Sequence, residues 1–160
     1  MARTGIGCVI AATAVAAAVA ALPASGQNAP AERTLEFTSA QSPRDFKLID
    51  MRPRGDSAGD RYVFSTTLKR AGKRAGRLEA DCVAVDPTYQ GLQCNVVAFL
   101  ADGRLTASGA YLAKRVPGVG RVGEQYAITG GSGAYEGVTG VVRRHGNGKR
   151  DTLTLTLKFP

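Results

Sequence analysis

The chain has 160 residues and carries 21 Lys or Arg against 13 Asp or Glu, which gives a formal net charge of +8. Its only histidine is His145 and it has no Cys-x-x-Cys pair, so the sequence gives no support for a metal site. It also lacks a P-loop and a dinucleotide fingerprint within a βαβ unit, and we therefore expect no cofactor.

The first 26 residues have the pattern of a secretory signal peptide. Arg3 precedes an uncharged apolar run at residues 8–22, and small residues at 24–26 form a plausible cleavage site. The apolar run is too short, and wrongly flanked, for a stable membrane span. We therefore predict cleavage before Gln27, a secreted protein and no membrane span.

The rest of the chain predicts one all-β domain over residues 34–160, after a polar lead-in at residues 27–33 that we expect to be flexible. Short runs of β-type residues alternate with segments rich in Gly, Pro, Asp and Asn, and no convincing 3.6-residue periodicity occurs. The predicted strands are residues 34–39, 46–51, 61–68, 77–85, 92–100, 104–113, 124–129, 137–144 and 152–159.

Two turn signals predict the register of the later strands. Asp-Gly at residues 102–103 and Asn-Gly at residues 147–148 are typical of two-residue hairpins. The resulting pairs are Leu100 with Leu105, Cys94 with Tyr111, and Val142 with Leu153.

Cys82 and Cys94 are the only cysteines beyond the predicted signal peptide, and outside the cytoplasm we expect them to form a disulfide. A hairpin loop centred on Thr88 places the two cysteines directly opposite each other. A cross-strand bridge at this point stabilises the fold by about 3 kcal/mol.

Strand alternation separates an inward face from an outward face. The inward face is rich in small residues, so a barrel built from it either is plugged by Tyr62, Phe64 and Tyr126 or keeps a cavity. Eight strands give a barrel of the size that fills itself or holds one small ligand. The inward residues include Leu78, Ala80, Cys82, Ala84, Cys94, Val96, Ala98, Leu105, Ala107, Tyr111, Leu153, Leu155 and Leu157.

The glycine-rich segment at residues 126–140 has no phosphate-binding residues and predicts a tight turn between strands. It resembles the Ile-Thr-Gly-Gly-(Ser/Thr)-Gly-x-(Tyr/Phe)-x-Gly-x-x-Gly signature of the allene oxide cyclase-like and dirigent β-barrels. Residues 58–68, 77–85 and 103–112 resemble strand motifs of the allene oxide cyclases, in the same order. The resemblance therefore covers most of the predicted domain.

This resemblance implies an eight-stranded antiparallel β-barrel with an apolar cavity, commonly assembled as a homotrimer. It implies a small lipophilic ligand and a cofactor-independent cyclase or isomerase. A non-catalytic carrier, or a dirigent-like protein that guides radical coupling, are the alternatives. Leu48 stands where allene oxide cyclases carry a proposed catalytic glutamate, so we do not expect their reaction in the strict sense.

The resemblance puts Cys82 and Tyr111 on the cavity wall. Tyr111 is a candidate catalytic residue because its hydroxyl can donate a hydrogen bond to a ligand oxygen, and Asp50 is a candidate acid or base. The alternatives are a core tyrosine packed on the disulfide and a loop aspartate that caps a turn or pairs with an arginine. The expected ligand contacts are Tyr62, Phe64, Val96, Tyr111 and Tyr126.

The positive charges concentrate in two predicted turns, at residues 69–77 and 143–150. Up-and-down strands put these turns at opposite ends of the sheet, and few aromatic residues accompany them. We therefore expect no nucleic-acid partner. Val83, Val97 and Phe99 lie on the outward face, where a trimer contact would cover them.

Overall fold

A computed structural model describes residues 31–40, 42–88, 90–112, 114, 117, 124–146 and 150–160. The predicted signal peptide and residues 147–148 lie outside the described residues. No helix in the described parts of the chain has the length and apolar character needed to cross a membrane.

The described chain consists of nine strands and one short 3-10 helix at Pro43–Asp45, and each predicted strand is present. β1 begins at Glu32, inside the segment expected to be a flexible lead-in, and β4 begins four residues before its predicted start. In chain order the strands are β1 Glu32–Ala40, β2 Phe46–Ile49, β3 Arg61–Arg70, β4 Lys73–Asp86, β5 Gly91–Leu100, β6 Gly103–Leu112, β7 Gln125–Gly133, β8 Thr139–Gly146 and β9 Asp151–Lys158.

The strands close into an eight-stranded antiparallel barrel, as predicted. Hydrogen-bonded neighbours follow the order β1-β9-β8-β7-β6-β5-β4-β3, and β1 then pairs with the end of β3, where Thr38 lies opposite Lys69. β2 pairs with the beginning of β3, where Phe46 lies opposite Phe64. β4 pairs with the other edge of β3. β1 and β2 therefore lie one after the other along the same edge of β3, and together they count as one strand of the eight-stranded wall.

The interior is apolar, and the predicted inward face is confirmed. Alternate residues of β4, β5, β6 and β9 point into the barrel, and each fully buried leucine stabilises the fold by about 1.5–3 kcal/mol. Val63 and Phe99, on the outward face, remain 39% and 38% exposed. The buried core includes Leu35, Phe37, Leu68, Leu78, Ala80, Cys82, Cys94, Ala98, Leu105, Ala107, Leu153, Leu155 and Leu157.

The disulfide is present between β4 and β5. Cys82 lies directly opposite Cys94, as predicted, and their Cα atoms are 4.0 Å apart. Both residues are almost fully buried.

The predicted register between β5 and β6 is wrong by two residues. Leu100 pairs with Gly103 and Cys94 with Gly109, so the turn is formed by residues 101–102. Gly103 is the first residue of β6, and β7 passes so close to it that a β-carbon there would lie 2.1 Å from the carbonyl oxygen of Ser132. A shift of two residues leaves each side chain on its predicted face.

The register between β8 and β9 is also shifted by two residues from the prediction. Val142 pairs with Leu155, not Leu153, and the last pair is Gly146 with Asp151. Four residues therefore separate the two strands, and the Asn-Gly dipeptide among them lies outside the described residues.

Gly140 shows why the glycine-rich segment is needed where β8 packs on β9. Its φ is +146°, and a β-carbon would lie 2.0 Å from the carbonyl oxygen of Thr156. Real β-carbons do not approach backbone oxygens so closely, so the strands would have to separate. The glycine at this position therefore has a structural role, as predicted for the segment.

We predict that Gly140→Ala lowers the free energy of unfolding by about 2–4 kcal/mol, because it adds both backbone strain and a clash. Urea denaturation measures the loss. Gly130→Ala is the matched control, since its nearest contact would be Thr106 Oγ1 at an ordinary 3.6 Å. Equal losses for the two variants would contradict the close-approach argument.

We also predict that the double variant Cys82→Ala/Cys94→Ala loses about 3 kcal/mol of unfolding free energy, because the bridge closes a loop across a sequence separation of 12. Urea unfolding of the wild type with and without dithiothreitol provides the control. An unchanged unfolding midpoint in both comparisons would show that the bridge does not stabilise the fold.

Candidate functional site

The barrel contains a cavity of about 170 Å³. It lies towards the end where β4, β6 and β8 finish, which we call the cavity end. Its apolar wall includes the disulfide sulfurs and the side chains of Phe64, Leu78, Val96, Ala107, Val142 and Leu153. Ala107 has the smallest side chain in this wall, and a larger residue there would occupy part of the space.

The cavity has a polar end, which we call the Arg144 cluster: Arg144, Glu124 and Asp151. The guanidinium of Arg144 donates to a carboxylate oxygen of Glu124, and its Nη2 donates to Oδ2 of Asp151 at 2.9 Å. The backbone N–H of Arg144 also donates to the carbonyl oxygen of Glu124 at 3.1 Å. These contacts hold the start of β7, the end of β8 and the start of β9 together.

The Arg144 cluster is partly removed from water. The side chains of Arg144 and Glu124 are 26% and 23% exposed, and that of Asp151 only 6%. Burial by itself lowers the pKa of Arg144, but hydrogen bonds and attraction from Glu124 and Asp151 outweigh it, so the pKa lies above its ordinary value. Removing Arg144 would leave two poorly solvated carboxylates without the guanidinium that they share.

Strand alternation explains why these three charged side chains point inward. Arg144 follows Val142 by two residues on β8, Asp151 precedes Leu153 by two on β9, and Glu124 precedes Tyr126 by two. The sequence analysis placed Arg144 at the end of a predicted strand and counted it among the charges of the turn at residues 143–150, whereas its side chain points into the barrel. Each of these charged residues lies two positions from an inward apolar residue. Extending the alternation of inward and outward residues to the strand ends would therefore have identified the cluster.

Two tyrosines lie beside the cluster on the cavity wall. Burial raises the pKa of both Tyr111 and Tyr126, and the nearby carboxylate of Glu124 raises each further. Both phenols are therefore protonated well above neutral pH, so each can donate a hydrogen bond into the cavity.

Four of the five expected ligand contacts line this cavity: Phe64, Val96, Tyr111 and Tyr126. Tyr62 instead lines a neighbouring depression with Asp60 and Leu92. Its ring centroid lies 6.0 Å from that of Phe46, and burial is the main reason that its pKa is raised.

Asp50 is exposed and does not line the cavity; its Oδ2 accepts a hydrogen bond from the N–H of Gly55 at 3.4 Å.

Asp60 is the buried aspartate of this region. It accepts from the backbone N–H groups of Met51 and Ser57 at 2.8 and 2.9 Å, and from the Ser57 hydroxyl at 3.0 Å. The bonds from Ser57 and Met51 hold its pKa below the usual range, so Asp60 fastens the loop between β2 and β3.

Within the ranges that the structure describes, no group of three or more His, Cys, Asp or Glu side chains is arranged to hold a metal ion.

Solved structures with the same architecture include proteins of several activities. A pyocyanin demethylase matches with a TM-score of 0.65 at 22% sequence identity, over 78% of this chain and 99% of that chain. A pterocarpan synthase dirigent protein matches with 0.61 at 14%, over 82% of this chain and 87% of that chain. A Diels Alderase from Streptomyces koyangensis matches with 0.61 at 13%, over 85% and 71%.

At these identities the likeness shows the fold alone: the chain is a barrel of the dirigent and cyclase-like type. No protein-family model matches the sequence, and no curated protein matches it.

We predict that the native protein resists tyrosine ionisation near pH 10–11, where free tyrosine titrates with a pKa of about 10. The pKa values of Tyr62, Tyr111, Tyr126 and Tyr135 are all raised. The folded protein then binds more protons than the unfolded chain, so its stability falls as pH rises above about 10.

Phenolate absorbance near 295 nm, measured in native and urea-unfolded protein, checks this expectation. Tyr126→Phe should weaken the alkaline loss of stability. Superimposable titration curves for the native and unfolded protein would contradict the burial of these phenols.

Proposed function

We propose that this protein binds a small, mostly apolar ring compound in the barrel cavity and promotes its cyclisation or isomerisation without a cofactor. The observation that carries the proposal is an apolar cavity that ends in hydrogen-bond donors and a buried charge cluster. Apolar walls with a few convergent polar groups are characteristic of small-molecule sites.

The cavity volume limits the ligand. An apolar cavity of roughly 150 Å³ is known to hold benzene, whereas drug-sized ligands occupy about 300–1,000 Å³. At about 170 Å³, the cavity suits a single ring, or one ring of a larger molecule whose remainder extends out of the barrel. A long acyl chain would not be enclosed.

The polar end gives the ligand an orientation. Tyr111 and Tyr126 would donate hydrogen bonds to an oxygen on the ring, and Arg144 would favour partial negative charge that develops there. Catalysis would come mainly from holding a flexible substrate in a reactive conformation, an effect that can supply several kcal/mol of the barrier. Phe64 and Val96 would pack on the ring, and Tyr62 would contact any part that protrudes. Asp50 has no role in this proposal.

The structural neighbours support this choice of reaction class. One is a Diels Alderase and another is a nonspecific heme-binding cyclase that catalyses a cycloaddition. Barrels of this type therefore include ring-forming proteins, and they also include a pyocyanin demethylase and a pterocarpan synthase dirigent protein.

Mass spectrometry of small molecules extracted from the purified protein would identify the bound compound. Cyclisation and isomerisation conserve molecular formula, so incubation should yield a product of equal mass and different chromatographic retention. If the compound were recovered unchanged, the protein would be a carrier and the proposed catalysis would be wrong. A change of stereochemistry only with an added oxidase would indicate a dirigent-like role.

We predict that Val96→Phe fills the cavity and weakens binding of the probe p-cresol by about tenfold or more. Val97→Phe is the matched control, because Val97 is the next residue on β5, points outward and does not line the cavity. Isothermal titration calorimetry measures both affinities. Equal effects at the two positions would exclude the cavity as the binding site.

We further predict that Tyr111→Phe weakens binding of p-cresol by about 3–10-fold and leaves binding of toluene unchanged, because only p-cresol can accept the lost hydrogen bond. An equal loss for the two probes would mean that Tyr111 acts through packing alone. Full turnover of the extracted compound by this variant would remove Tyr111 from the mechanism.

A further inference from the structure

We propose that the β3–β4 hairpin docks the protein onto anionic phospholipid surfaces, independently of the cavity function. The contact is made by four side chains, Lys69, Arg70, Lys73 and Arg74, which we call the basic tip. All four are exposed. The basic tip lies at the opposite end of the barrel from the cavity, so a docked protein would present its cavity end to the solution.

The pairing in the hairpin concentrates positive charge. Lys69 lies directly opposite Arg74, and Arg70 lies directly opposite Lys73. The two-residue turn between them has positive φ at both positions, 48° at Ala71 and 77° for the glycine that follows, which fits the tight hairpin geometry. Like charges in directly opposed positions destabilise a sheet, so folding stability does not account for this arrangement.

Three arginines elsewhere in the barrel are paired with carboxylates. Arg61 pairs with Asp81, Arg77 with Glu79, and Arg144 with its two carboxylates. By contrast, no basic-tip side chain has a carboxylate partner among the ion pairs of the described residues. These four charges are therefore available to an external anion.

The shape of the basic tip favours a surface over a linear polymer. Pairing between β4 and β5 stops at Gly76, so the residues of β4 before Gly76 extend past the paired end of β5. The tip sequence Lys-Arg-Ala-Gly-Lys-Arg contains no aromatic side chain for stacking on nucleic-acid bases. Four exposed charges around a two-residue turn can contact a flat layer of phosphate groups without a groove.

The expected strength follows from the number of charges. Each Lys or Arg near an anionic membrane surface increases partitioning by about fivefold, and the attraction fades within a Debye length of about 8 Å in physiological salt. Binding should therefore be reversible and should weaken steeply as salt is added.

Vesicle flotation of the full chain tests the proposal. Vesicles of phosphatidylcholine with roughly 30 mol% phosphatidylglycerol are compared with pure phosphatidylcholine at about 0.15 M salt. The tip variant and the control variant carry the same N-terminal segment, so a difference between them does not arise from that segment. Lys73→Gln/Arg74→Gln removes one member of each like-charge pair, which should not impair folding. Lys47→Gln/Arg54→Gln removes two exposed charges elsewhere and is the matched control.

We expect phosphatidylglycerol-dependent binding that falls about 25-fold in the tip variant and much less in the control variant. An equal fall in both would mean that net charge alone attracts the protein, and this would overturn the proposal. So would the absence of such binding in the wild type, or full displacement by soluble glycerol phosphate at the same phosphate concentration. If short single-stranded RNA bound more tightly than the vesicles did, and the tip variant lost this binding, the partner of the basic tip would be nucleic acid and the lipid proposal would be wrong.

Discussion

Pairing between β1 and β3 closes the sheet, and the interior depends on that closure. Once eight strands surround a common axis, the width of the lumen is set by geometry and no longer adapts to the side chains inside. Leucines on β1 and β9 fill one side of this space, and the inward face of β4, β5 and β6 includes several small residues: Ala80, Ala84, Ala98, Ala107 and Gly109. Since the wall cannot collapse onto such small residues, a cavity remains. The disulfide between Cys82 and Cys94 forms part of that wall and holds two of its strands together.

The Arg144 cluster changes what this cavity can do. A barrel filled only by hydrocarbon would give a bound ring no preferred direction, whereas one polar end distinguishes the two ends of a ligand. Three partly buried charges are tolerated because each is hydrogen-bonded and each lies at or next to the end of a strand, near water. The neighbouring phenols stay neutral at ordinary pH, so they add donors without adding another charge.

Much of this fold could be predicted from the sequence, because period-two alternation and turn residues act locally. Strand positions, the inward face and the pairing of Cys82 with Cys94 all follow from such signals. The hairpin registers do not, since Gly103 serves the close approach of β7, a strand distant in sequence. The Arg144 cluster was missed for a related reason: charged residues at strand ends resemble turn residues until tertiary pairing shows which way they point. Placement of Asp50 outside the cavity depends on the path of a loop that no periodic pattern describes.

The unfilled interior is itself an argument about function. The space beside Ala107 is packing that the barrel leaves unrealised, although proteins have only about 5–15 kcal/mol of total stability. Replacing Ala107 by a larger aliphatic residue would recover part of it, because Ala107 lines the cavity and its neighbours already pack around it. Selection for stability alone would favour such a change. A barrel that keeps small residues around a space bordered by Arg144, Tyr111 and Tyr126 is better explained by a molecule that occupies the space.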